Sequence, residues 1–248
     1  MLKYIRADLY RITRQIPRYV LLVLFLGAYA FGSCAYGVSK EMNGLGITTT
    51  CSNLLAYMGL ALGIVELMAV FADDFRAKTM QVAIGTGISR RHVMLAKLLE
   101  VSLLVLIDLL LSVLLLVISC TVAGIRFQPY QFYQMFIYAL TTTLTAVVAT
   151  DVTMIVLFYT QKTGLAPILF LLFYVDPVSV ALSPFQANEI VLKLHLTEYT
   201  YSALIGELSN QLSLGVSFPL KALIVLCAYL VLFFLLGYTI FSKRELDF

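Results

Sequence analysis

The sequence predicts an all-α polytopic membrane protein: a basic helix lying in the plane of the membrane, then six transmembrane helices, with both termini in the cytosol. Three observations carry this. Of 248 residues, 61% are hydrophobic and only 12% charged, whereas soluble domains sit near half apolar and a quarter charged. Six stretches approach the ~20 mostly apolar residues that a spanning helix needs. Finally, 13 of the 17 Lys and Arg residues fall on one side when the intervening segments alternate; such an excess marks cytosolic segments.

The elements follow in order. In residues 1–17, Leu2, Ile5, Leu9, Ile12 and Ile16 recur at the 3–4 spacing of one helix face, while Lys3, Arg6, Arg11 and Arg14 fall largely elsewhere. A helix of this pattern rests in the headgroup layer with its apolar face down. Pro17 ends it, since a proline inside a helix loses a hydrogen bond and clashes. The spans are Tyr19–Gly37, Leu54–Ala72, Leu98–Ala123, Phe136–Tyr159, Leu165–Leu182 and Leu220–Phe241. The fifth is short and ends in Asp176-Pro177, so it either spans or breaks near the outer surface. The first run is long for a signal peptide, and no small-residue cleavage site follows it cleanly. Residues 183–218 form a short extracellular helical region, carrying Glu189, Lys193, His195, Glu198 and Glu207, too small for a domain of its own. The chain is therefore a single transmembrane domain over 1–248, without a long repeat or linker. A net charge of +3 is too small to argue for nucleic acid.

The long polar interruption in the first half is 72–97, a cytosolic elbow carrying Arg76, Lys78, Arg90, Arg91 and Lys97. Asp73 and Asp74 suit the first turn of a short helix, where acids complement the helix dipole. Gly85 and Gly87 break that helix, and Ser89 is placed to cap a second one that opens at Arg90 and runs into the third span. A polar helix held between two apolar spans is a handle by which a cytosolic partner can move a membrane protein.

Several chemistries are missing from the sequence. No phosphate-binding G-x-x-x-x-G-K-[ST] loop occurs, and Gly85-Thr86-Gly87 lacks its lysine, so the chain is not expected to bind ATP itself or to be an enzyme. His92 and His195 are expected on opposite sides of the membrane, and neither H-E-x-x-H nor C-x-x-C is present, so no metal is expected. Cys34, Cys51, Cys120 and Cys227 are scattered; a Cys34–Cys51 disulfide is conceivable across the short connecting loop, although sequence does not fix its geometry.

Acids inside spans are the sharpest anomaly: Glu66, Asp108 and Asp151, with Glu100 and Asp176 nearer span ends. At 1.5 Å per residue, Asp108 and Asp151 lie about 15 and 13 Å from the cytosolic ends of adjacent antiparallel helices. Ionised acids there are costly and face a bundle interior, a cavity or a polar partner. The functional readings are a proton or cation relay, or the polar lining of a translocation path for a cationic substrate. The structural reading is an interhelical clasp, one acid protonated, with Thr141, Thr142, Thr143, Thr145, Thr150 and Ser112 as partners. With no Lys or Arg expected at that depth, no buried ion pair is expected.

Phe71, Asp73-Asp74-Phe75, Thr79, Gly87-Ile88-Ser89-Arg90 and Lys97 carry a family likeness. On these residues, and on the layout of nearly the whole chain, the protein resembles the membrane-spanning permease of type-2 ABC exporters, of the small stand-alone bacterial kind. The resemblance implies a multi-pass protein of the bacterial cytoplasmic membrane. It implies two permease chains, identical or paralogous, and two separate ATPase subunits that bind ATP-Mg. Asp73, Asp74, Phe75, Thr79, Gly87, Ser89, Arg90 and Lys97 would then serve ATPase coupling, with 73–84 as the coupling helix. Many members carry a Glu-rich start and a Gly-Thr pair where this chain has Asp73-Asp74 and Ala77-Lys78-Thr79. Cargo in such permeases is often a peptide, including bacteriocins and lantibiotics, or an amphipathic drug. The rival expectation is a self-sufficient proton-coupled transporter using Asp108 and Asp151. An aspartyl protease using the same two acids, and an assembly or sensor subunit, are further readings.

Overall fold

The structure, a computed structural model, describes residues 2–77, 79–185, 188, 191, 193–215 and 218–243. Lys78, Glu189 and Arg244, together with the side chains of Leu2, Lys3, Asp73 and Arg76, lie outside the described residues. Among the described residues there are helices and no strands. Five of the described helices are long and apolar enough to cross a membrane. A sixth candidate is a pair of short helices bent by 50° at a break. The fold is that of an all-α, multi-pass membrane protein.

Helix α1 covers Leu2–Ile12. Its Ile5 and Ile12 are buried, with Asp8 buried between them, while Arg6 and Tyr10 face outward. The apolar stripe read from the sequence is thus spent largely on protein: Ile12 belongs to the main core, with Tyr4 and Leu9 against it. Helix α2 spans Ile16–Ser39, with Pro17 in its first turn, where a missing N–H costs nothing. Helix α3 spans Gly44–Ala77, ten residues ahead of the expected Leu54. Helix α4 is Thr79–Gly85 and α5 is Arg90–Val122. Helix α6, Pro129–Thr160, lies against α3 and α5 and against the helices that follow it.

Helix α7 is Ala166–Tyr174, led by a turn of 3-10 helix at Thr163–Leu165. Nine residues rise about 14 Å, half of the ~30 Å of hydrocarbon. The fifth stretch therefore does not cross as one helix. It stops in mid-bundle, where the Tyr174 hydroxyl donates to the carbonyl of Ala56 at 2.7 Å. Asp176 then turns the chain with φ 58°. Its carboxylate accepts from the N–H of Ser179 at 3.2 Å, capping α8 (Pro177–Leu182), and from Ser202 at 3.0 Å, capping α9 (Tyr201–Leu214). One buried side chain thus starts two helices. Helix α10, Leu220–Lys243, closes the bundle.

Helix α9 does not lie across the bundle's end. Tyr201, Leu204, Ile205 and Leu208 pack with Val148 of α6 and with Ala222 and Leu226 of α10, and the hydroxyls of Thr141 and Ser209 lie 3.4 Å apart. Lipid tails are as apolar as leucine, so helices in a membrane associate through close fit rather than through expulsion of water. Gly59 and Gly63, four residues apart on α3, supply that fit: a Cβ on either would strike Tyr174 and Thr142, or the ring of Phe170. At the basic end, Phe158 stacks on Phe241 at 4.2 Å and meets Phe71 edge-on at 6.2 Å, joining α6, α10 and α3.

Candidate coupling site and buried ion networks

The elbow is built as expected at its turn, but the short helix begins at Thr79, and Asp73 and Asp74 lie in the last turns of α3 instead of opening it, because the second span continues as helix to Ala77. Gly87 takes φ 96°, open to glycine and strained for other residues. Ser89 caps α5, its hydroxyl accepting from the N–H of His92 at 3.4 Å. On α4, Met80 and Ala83 are buried while Val82 is 64% exposed, and Gly85, Thr86 and Gly87 are also exposed.

Beneath this surface lies a charge network. Lys97, fully buried at the start of α5, pairs with Asp8 of α1 and Asp74 of α3, and its Nζ lies 3.4 Å from Glu100. Arg11 pairs with Asp8 at 2.7 Å and Asp74 at 2.9 Å. Thr79 of α4 donates its hydroxyl to Asp74. Arg11 and Gln15 also donate to the carbonyls of Val70 and Ala69, at 3.4 and 3.2 Å. Among the described residues two cations therefore face three carboxylates, and helices α1, α3, α4 and α5 are joined through them. Burial opposes ionisation of Asp8, but the Lys97 ammonium beside it wins and holds its carboxyl below the usual carboxylate range. Burial pushes the Tyr4 phenol, over whose ring Lys97 sits, up to about 12.

Of the residues that the resemblance implies for coupling, Asp74, Phe75 and Lys97 are thus buried, holding or flanking the elbow from inside. Arg90 donates to the carbonyls of Phe241 and Ser242 at 2.5 and 3.2 Å, satisfying the open end of α10. Thr79 is partly exposed, and Gly87 and Ser89 lie at the surface.

The acids within the bundle divide. Arg18 Nε donates to both oxygens of Glu66 at 2.8 Å, and its Nη2 lies 3.6 Å from Asp108. All three are buried. A buried ion pair thus stands where none was expected. The expectation failed because α2 begins at Ile16, so that Arg18 is already helical and turned inward rather than a flank in the headgroups. Its place in the first helical turn after Pro17 was the available signal. Asp151 is fully buried, and its two oxygens meet no hydrogen-bond partner among the described residues. Thr141, Thr143, Thr145 and Thr150 donate to carbonyls of α6 itself, and Ser112 donates to the carbonyl of Asp108. These five of the partners expected for an Asp108–Asp151 clasp are therefore spent locally, and Asp108 faces Arg18.

Among the described residues no three His, Cys, Asp or Glu side chains converge to hold a metal ion. All four cysteines, Cys34 and Cys51 included, are free thiols. Comparison of the chain with protein-family models and with curated proteins returns no match.

Proposed function

We propose that this chain is the permease subunit of an ATP-driven exporter of the type-2 ABC class, working as a permease dimer on two separate ATPase subunits in a bacterial cytoplasmic membrane. The observation that supports the reading best is the join made by Lys97, Arg11, Asp8 and Asp74. A push on α4 reaches Asp74 through Thr79, and from there α1 and α5 through Lys97. Arg90 extends the same body to the end of α10. An elbow so fixed moves the ends of several spans together, as a machine driven from the cytosol requires. Force would enter on the exposed face of α4 around Val82 and pass to the bundle, opening a path between two permeases alternately to each side. The cargo we propose is a bacteriocin- or lantibiotic-like peptide, or an amphipathic drug. A proton-coupled carrier built on Asp108 and Asp151 finds less support, since Arg18 occupies Asp108.

Affinity purification of the full chain in mild detergent tests this. Wild-type protein is expected to bring down an ATP-hydrolysing subunit, and Val82→Asp, an outward-facing change, is expected to release it while the permease still inserts. Purified wild-type chain that moves solute in liposomes without any ATPase would overturn the proposal.

A further inference from the structure

Where α1 gives way to α2, a crevice of about 520 Å³ opens between that turn and α3. Arg14 and Arg18 stand at its head, and its shaft is apolar, with Leu21 of α2 on one side and Ile64 and Met68 of α3 on the other. Among the described residues no carboxylate lines it. Ile16, at the rim, is 75% exposed, and Leu21 is exposed as well, so the crevice opens on the surface of the bundle. It runs from a basic head beside the turn into the first span. The two arginines differ. Arg18 is buried and gives its Nε to both oxygens of Glu66, with Asp108 beside it. Arg14 is exposed, lies over the Tyr10 ring at 4.4 Å and donates to the Tyr10 hydroxyl. Tyr10 is uncharged, so among the described residues the Arg14 charge meets no carboxylate. A guanidinium has five N–H donors in a planar fork that fits phosphate oxygens, and Tyr10 occupies only part of it.

Head and shaft together define the occupant. A soluble anion could use Arg14 but not the apolar walls, and a neutral lipid could use the walls but not the charge. A phospholipid matches both, and basic pockets between membrane helices are known seats of anionic head groups. A choline head would bring its own cation beside Arg14 and lose most of the attraction; a head group with net negative charge keeps it. The geometry points to a binding site for an anionic phospholipid, its phosphate on the Arg14 guanidinium and one acyl chain in the crevice between α2 and α3. The lipid enters sideways from the bilayer past Ile16 and Leu21. Lipid binding needs no ATPase, so the site stands apart from the exporter reading.

The test uses the full chain in phosphatidylcholine vesicles and exploits its lack of tryptophan. A Leu21→Trp reporter is placed in the crevice, and a Leu232→Trp reporter on the exposed face of α10 serves as control. Bromine, a quencher, is carried mid-chain on a minor fraction of either phosphatidylglycerol or phosphatidylcholine. The crevice reporter is expected to be quenched at a several-fold lower mole fraction of the brominated phosphatidylglycerol, and the control reporter to respond to both lipids alike. Inorganic phosphate should not relieve the quenching. Arg14→Gln, a change at an exposed side chain, is expected to abolish the preference. Arg6→Gln, also at an exposed arginine of α1 but outside the crevice, is expected to leave it intact. No preference at the crevice reporter, a full preference in Arg14→Gln, or relief by inorganic phosphate would each overturn the site. Equal losses in Arg6→Gln and Arg14→Gln, or the same preference at the control reporter, would overturn it too, by showing only a general attraction of the basic end for anionic lipid.

Discussion

Lys97 sits one residue before the third expected span, where a hydropathy reading takes it for a flank. It is fully buried, and Asp8 and Asp74 close on it from two other helices. Removing one partner of a buried ion pair typically costs 3–5 kcal/mol, because the remaining charge is left uncompensated. Arg11 still touches both acids, so Lys97→Met is expected near the lower end, about 3 kcal/mol. Adding Asp74→Asn should recover part of the loss, as coupled neighbours do; thermal unfolding in detergent measures both. The same cluster sets two pH limits. The Asp8 carboxyl is held below its ordinary 3.8, so its contribution is present above that pH and lost as pH falls through the lower folded value. Tyr4 is the opposite case: its folded value of about 12 exceeds the ordinary 10.0, so its contribution is full below pH 10 and lost as pH rises through about 12. Tyr4→Phe should remove that part of the alkaline decline in melting temperature, and an unchanged alkaline profile would refute the assignment. Ser89 and Gly87 were legible as a cap and a turn because local chemistry decides them. Lys97 and Arg18 were not, because their partners Asp8 and Glu66 lie 89 and 48 residues away.

At the scale of elements, the break in the fifth span was half legible. Asp176-Pro177 marks it in the sequence, since proline disfavours helix at the residue before it. Its depth was not, because depth depends on where Tyr174 meets α3 and on Asp176 starting α9. The second span likewise begins earlier than its apolar run, as threonines at 48–50 satisfy their hydroxyls on helix carbonyls and so extend α3 through a polar stretch. Close approach of α7 to α3 rests on Gly59 and Gly63. Phe170 is fully buried and has nowhere to retreat. Gly63→Val is therefore expected to cost about 1–3 kcal/mol through overpacking and to lower the melting temperature. A change of the same kind at Gly27, where a Cβ meets nothing within 4 Å, should be nearly silent. Equal effects at the two glycines would show that α7 does not depend on this contact.

At the scale of the molecule, the class follows from composition and from the spacing of apolar runs, and the helices bear it out. What hydropathy does not carry is how the ends of those runs are joined. The joins decide whether 72–97 is a slack loop or is tied to the spans, and here buried charge ties it to them. The proposed function requires that this elbow face the cytosol and receive force there. Reaction of a membrane-impermeant maleimide with a Val82→Cys thiol tests it most directly, in a chain whose four native cysteines are replaced. Labelling is expected in inverted vesicles and not in intact cells, and it should slow when ATPase subunits are bound. Labelling from the outside of intact cells would contradict it.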